Sequence, residues 1–193
     1  MSLDDERVQF YLRHAEQIEQ WASLRSAAAS AVDGWLADLV PHIEELAREL
    51  GSDVRVGVNV GDDVGYPLYR LTHSAWGFDG QDDPPASIAL EWVRARTTIS
   101  GASKPYVGLR APKTHDIGAR LRASEAVAQA RRGRRDTSNA WWVGYSFVSP
   151  EGDFASDRDG YRDRLLGALR AAWEAYAPGV SAAVEVAGNA GRA

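Results

Sequence analysis

The chain has no cysteine, which excludes disulfides, thiolate metal sites and thiol nucleophiles and fits a reducing compartment. It lacks any apolar run near the roughly 18 residues of a membrane-spanning helix, so no membrane partner is expected. The opening residues, MSLDDERVQF, carry acids where a signal peptide carries bases, and a cytoplasmic location is expected. Histidine is scarce and scattered: His14, His42, His73 and His115 show no paired ligand spacing, and no metal site is read from them. A nucleophile-elbow serine motif and a phosphate-binding lysine motif are also missing. The glycine-rich GVNVGDDVG stretch lacks the strand-to-helix transition that a dinucleotide site requires. No cofactor is expected.

What is present suffices for one core. The 193 residues are 45% hydrophobic, with seven Trp and seven Tyr as bulky packing material, and one domain is the natural reading. The organising stretch is Ser87 to Arg110, which reads as two strands joined by a Ser/Gly/Lys/Pro-rich connection. Ile88, Leu90 and Trp92 alternate with Ala89, Glu91 and Val93, an interior-strand pattern that carries one acid among apolar residues. Tyr106, Val107 and Leu109 resume the extended pattern, with Gly108 marking a bulge or a close backbone approach. Glu91 needs a partner to offset its desolvation, and an arginine on a neighbouring strand, such as Arg70, is the expected one.

Around this centre the chain alternates its periods. Ser2 and Asp5 have capping-box spacing, and Phe10, His14, Ile18 and Trp21 follow at helical intervals, so a first helix is expected from about Leu3 to Ala29. Helical spacing continues to Gly51, a C-terminal cap, with a kink or restart at Pro41. Val54 to Val60 and Leu68 to His73 read as strands that form a meander with the central pair. A polar helix is expected over Asp116 to about Gln129. A fifth strand then places Trp141, Val143, Tyr145 and Phe147 on one face and Trp142, Gly144 and Ser146 on the other. A last helix, with a stripe of Tyr161, Leu165, Leu169, Ala172, Trp173 and Tyr176, should begin near Asp157 and halt at Pro178 and Gly179. The expected fold is a single α+β domain over 1–180, its 1–51 part helical and 53–180 a five-stranded antiparallel or mixed sheet with helices. A flexible tail is expected over 181–193.

The net charge of −5 hides an asymmetry. From Lys104 to Arg135 nine basic residues stand against two acids, a local balance of +7 that leaves −12 over the rest. Such a chain can show an anionic partner one face and repel it with the others. The densest run, Arg131-Arg132-Gly133-Arg134-Arg135, reads either as a solvated helix end, where positive charge complements the helix dipole, or as a loop whose arginine pairs straddle phosphates with Trp141 and Trp142 nearby as stacking surfaces. With Lys113 and Arg110 it forms the candidate binding set: Arg131, Arg132, Arg134, Arg135, Lys113 and Arg110, for nucleic acid or an acidic protein. The aspartates in DGQDD and DRDG read as turn formers, Asp82 and Asp83 ending a solvated turn and Asp157 capping the last helix.

The order helix, strands, helix, strand, with Glu91-Trp92-Val93 on the third strand, resembles the core of the PD-(D/E)XK nucleases in topology. That resemblance implies a metal-dependent nuclease or an inactive relative, with Glu91, Asp79 and Asp82 as catalytic residues and Mg2+ or Mn2+ as cofactor. The chain departs from the family pattern where the lysine should stand, since Arg94 alternates to the face opposite Glu91 and does not titrate usefully. The leading expectation is therefore a non-catalytic interaction protein that uses the basic segment and the adjoining sheet edge, with no catalytic residues. Glu91 clustered with two acids in an open cleft would point to the enzyme, and Glu91 beside an arginine in a filled sheet to the binder.

Overall fold

The structure, a computed structural model, describes residues 3–61, 63–78, 83–94, 104–151 and 154–190. Helices α1 (Glu6–Ala37) and α2 (Val40–Leu50) precede strands β1 (Val54–Asn59), β2 (Leu68–His73), β3 (Ser87–Glu91) and β4 (Tyr106–Arg110). Helices α3 (Asp116–Ala123) and α4 (Glu125–Arg134), strand β5 (Trp142–Phe147) and helix α5 (Arg158–Ala190) follow. The strands pair antiparallel in sequence order, β1-β2-β3-β4-β5, giving the α+β single domain that the alternating periods predict.

One face of this meander is the core. Tyr69 and Leu71, Ile88 and Leu90, Val107 and Leu109, and Val143 point from four successive strands into a cluster with Tyr161, Leu165, Leu169, Ala172 and Tyr176 of α5. Trp92 is fully buried beside them, whereas Val56 is only half-buried because β1 is an edge strand. Two core tyrosines also pin chain ends. The Tyr69 hydroxyl donates to the carbonyls of Leu36 and Ala37, 2.8 Å from each, at the end of α1, where the regular ladder of helical N–H donors runs out. The Tyr161 hydroxyl donates to Val148 at 2.9 Å. Burial raises the pKa of both phenols, so they are kept as neutral donors.

Several elements differ from the sequence expectations, each for a local reason. Helix α1 starts at Glu6 because the Asp5 carboxylate accepts from the Arg7 N–H, and Ser2 lies outside the described residues. Its expected apolar stripe is not a packed one: Phe10 and Trp21 are 60% and 62% exposed, and burial begins only at Ala29. Pro41 restarts the chain as α2, which Gly51 ends. The single helix expected over 116–129 is two helices, because Ser124 is extended and its hydroxyl accepts from the Val127 N–H, capping α4. The run 131–135 is accordingly the last turn of α4, with Arg135 in the left-handed conformation at its C-terminal cap.

Helix α5 does not stop at Pro178 and Gly179. It continues to Ala190, so the residues expected to form a tail from 181 are helical over 181–190. Pro178 removes one intrahelical bond, but Tyr176, Ala177 and Val180 are buried on either side of it, and the Trp76 indole donates to Ser181 at 2.9 Å. Packing outweighs the local break.

The faces of β5 are also reassigned. A register shift at Leu109/Arg110 places Gly144 opposite Leu109 and Trp142 opposite Arg110. Trp142 thereby joins Tyr145 and Phe147 on the outer face, in ring contact with Tyr106 at 5.2 Å, while Val143 enters the core and Trp141 stands outside the strand. Gly108 is required here: an added Cβ would stand 2.0 Å from the Gly144 carbonyl oxygen.

Two outcomes test this packing. Leu165→Ala should destabilise the domain by about 2–5 kcal/mol in chemical denaturation, and a parent-like curve would mean that α5 does not sit on the sheet. Gly108→Ala should cost about 1–3 kcal/mol by overpacking. Gly133→Ala, in α4 with nothing within 4 Å of the new methyl, should add about 0.5–1 kcal/mol. The opposite order of melting temperatures would contradict the close β4–β5 approach.

Candidate functional site

The outer face of the sheet carries the most concentrated polar chemistry of the described residues. Alternation from the core positions puts Arg70 of β2, Ser87 and Glu91 of β3, and Tyr106 and Arg110 of β4 on this face, and all of these except the half-buried Tyr106 are buried. Asp83, from the segment before β3, reaches over them. Its carboxylate lies 2.8 Å from Arg110 Nη1 and 3.4 Å from Arg70 Nη2. Asp83 is therefore an exposed residue that also serves as an ion-pair hub, while Asp82 lies outside the described residues. Asp157, by contrast, caps α5 through an Oδ1 that accepts from the Gly160 N–H.

Glu91 sits opposite Tyr106, whose hydroxyl donates to Oε1. Arg110 Nε is 3.9 Å from Oε2, while Arg70 makes its ion pair with Asp83 and acts on Glu91 only through its field. Burial raises the Glu91 pKa, and the Tyr106 hydrogen bond and the two arginines offset it in part. Burial, and then the charge of Glu91, raise the Tyr106 phenol in turn. Two carboxylates and two guanidiniums form a balanced set. Among the described residues no group of three or more His, Asp or Glu could hold a metal ion. Asp79 and Asp82, which the nuclease reading needs beside Glu91, lie outside the described residues.

The basic candidates are not brought together as one patch. Arg110 belongs to the buried cluster just described. Arg134 packs inward, 3.0 Å from the buried Asp136 carboxylate, with its guanidinium over the Tyr176 ring at 5.9 Å. Tyr176 also donates to Asp136 at 2.8 Å, so this arginine ties α4 to α5. Arg131 reaches Ser138 Oγ at 3.3 Å, and Arg132 pairs with Glu125 on the surface at 2.6 Å. Arg135, Lys113 and Arg120 are exposed.

A different residue stands out here. The Asn139 side-chain oxygen accepts from the N–H groups of Trp141 and Trp142 at 2.8 and 2.9 Å, a tight turn that lifts Trp141 out of the strand. Trp141 is 56% exposed and lies against the Arg110 guanidinium at 5.6 Å. Arg122 fixes the turn from below, donating to the carbonyls of Ala111, Gly118, Asn139 and Ala140, and the Lys113 N–H donates to Ala140 at 2.9 Å. The sequence offers Trp141 as a stacking surface beside the arginine run but more simply as core, since a strand period extended one residue too far puts it on the face of Val143 and Phe147. The Asn before the Trp pair was the available signal.

The sign of the Glu91 shift makes a testable statement about pH. A carboxyl group whose folded pKa exceeds its unfolded value of about 4.3 binds more protons folded than unfolded between the two values, so stability falls as pH rises through that window. Glu91→Gln keeps an acceptor for Tyr106, leaves both arginines paired with Asp83, and removes the ionisation. The variant should unfold at or above the parent's temperature at pH 7, with the gap closing toward pH ~4.3. A variant less stable than the parent at pH 7 would mean that the Glu91 charge is a net stabilising member of the set.

Compared with protein-family models, with curated proteins and with solved structures, the chain matches none.

Proposed function

We propose that the protein is a non-catalytic interaction protein that binds an anionic polymer, single-stranded nucleic acid in the first instance, at the turn carrying Trp141. The observation that carries this reading is a largely exposed indole, held on a turn fixed by Asn139 and Arg122, backed by a guanidinium and placed beside Lys113. An indole face stacks on any base, and cations nearby neutralise phosphates, which together give sequence-tolerant binding of an unpaired strand. Lys113 belongs to this surface, and the exposed Arg132 and Arg135, at the end of α4, offer a longer strand further phosphate contacts. Arg110 contributes from beneath the ring, and Arg131 and Arg134 act by positioning the end of α4. No helix among the described residues is long and apolar enough to cross a membrane. The absence of cysteine favours a cytoplasmic setting.

Titration against labelled single-stranded and duplex oligonucleotides over a salt series tests the proposal. Trp141→Ala should weaken single-strand binding by about 1–3 kcal/mol and change duplex binding little. Lys113→Ser and Arg132→Ser should each lower the magnitude of the salt slope by about 0.7 on a single strand if each neutralises one phosphate. Arg134 is left unchanged in these variants, because its loss would strand the buried Asp136. A parent protein that binds neither oligonucleotide at low salt removes nucleic acid and leaves an acidic protein as the partner for the same surface. Cleavage that depends on Mg2+ or Mn2+ and is abolished by Glu91→Gln would replace the proposal by the nuclease reading.

A further inference from the structure

The two edges of the sheet are finished differently. Along β5, Ser146 and Gly144 face β4, so Tyr145 presents its N–H and carbonyl outward, and both are taken by Thr137 at 2.9 Å. Along β1 the Ser74 N–H to Asp53 carbonyl bond sets the ladder phase: Arg55, Gly57 and Asn59 exchange bonds with β2, and Val56 and Val58 point theirs outward. Neither valine's N–H or carbonyl makes a further backbone bond among the described residues. No proline, lysine or bulge protects this edge, the usual means by which an open strand is blunted. Val58, at the open end, is 46% exposed.

We propose that β1 pairs antiparallel with β1 of a second copy of this chain, about a two-fold axis through Gly57, to form a continuous ten-stranded sheet. The occupant is chosen by the strand's own pattern. In this register Val56 faces Val58 of the partner strand and Val58 faces Val56, so four main-chain hydrogen bonds form and the half-exposed valines cover one another as β-branched cross-strand pairs. On the opposite face Arg55 meets Asn59, and no like charges are opposed. Gly57 sits on the axis. It has no positive φ, and an added Cβ would make only ordinary contact at 3.6 Å, so nothing within one chain requires a glycine there. A glycine inside a strand commonly marks close approach by another backbone. One strand pair buries less than a standard interface of about 1,200–2,000 Å2, so the dimer should dissociate on dilution.

The test uses the full chain in sedimentation equilibrium and in amide exchange across a range of protein concentrations. The parent should be a monomer when dilute and a dimer when concentrated, with the Val56 and Val58 amides gaining protection in step. Val58→Lys places a charge on the pairing face, and Val56→Pro removes one outward N–H at an edge position that tolerates proline. Both variants should keep the parent's circular dichroism and raise the dimer dissociation constant about tenfold or more. A parent that stays monomeric at the highest concentration overturns the proposal, as does a dimer that survives both substitutions or leaves those amides unprotected. An extended peptide of another sequence that protects them while the chain alone stays monomeric also overturns it.

Discussion

Burial of one sheet face by a single helix is the interaction on which the other elements depend. Helix α5 presents Tyr161, Leu165, Leu169, Ala172, Tyr176 and Val180 at successive turns, and β3 and β4 lie beneath it. An antiparallel meander needs only one covered face, so one long helix serves where a parallel sheet would need two layers. The same helix touches α2, α3, α4 and the short 3-10 turn Ser74–Trp76, making it the common support of everything that flanks the sheet. Its two buried tyrosines add direction to an otherwise non-directional contact. The Tyr161 hydroxyl finds the Val148 carbonyl, and that of Tyr176 finds the Asp136 carboxylate, so the helix can seat in one rotational setting without leaving a buried hydroxyl unpaired.

The outer face solves a harder problem, because it buries charge without a helix above it. Arg70 and Arg110 stand on strands two apart, and Glu91 between them leans toward Tyr106, with its other oxygen 3.9 Å from Arg110 Nε. Asp83 completes the set from outside the sheet. Loss of Glu91 would leave both arginines with Asp83. Asp83 is also the nearer carboxylate to Arg110, at 2.8 Å against 3.9 Å for Glu91, whose own burial opposes ionisation. The partly exposed aspartate is therefore a closer partner of Arg110 than the buried glutamate, a ranking opposite to what burial alone suggests.

Periodicity made the strands and their order legible: Val54 to Asn59, Leu68 to His73 and the central pair read correctly because each has a plain alternation bounded by turn residues. Gly108 also carried its meaning, since only a glycine fits under the Gly144 carbonyl. The failures have a shared cause, which is that a local signal was weighed without its tertiary competitor. Pro178 breaks a helix in isolation but not one whose neighbours Ala177 and Val180 are buried. Four arginines in five residues read as a solvated helix end or a basic loop, and the run does end α4, yet one of them packs inward against Asp136, two residues away, beside a tyrosine on another helix. Phe10 and Trp21 fall at helical spacing, but the stretch of α1 before Ala29 buries no side chain among the described residues, and a spacing rule cannot report which surface a helix meets. At the candidate site the cations were legible as charge and illegible as geometry. Pairing distances, not composition, decide which of them remain open to a partner.

The positions of the two proposed surfaces bear on each other. Trp141 immediately precedes β5, and the open strand is β1, so the stacking surface and the self-pairing edge lie at opposite sides of a five-stranded sheet. Pairing through β1 would leave both copies' indoles and cations uncovered and hold them in a fixed relation. A polymer with many phosphates engages such a pair differently from a short one. Once the first surface is bound, the second meets the strand at an effective concentration set by the intervening length, typically millimolar for short spans, and overall affinity rises without any new contact. The gain vanishes when the strand is too short to reach both sites. A chain with net charge −5 and modest individual contacts has reason to bind this way, because its acidic remainder repels the ligand everywhere except at the positive segment. Doubling that segment through the acid-free β1 edge strengthens attraction without adding more like charge to a single copy's surface.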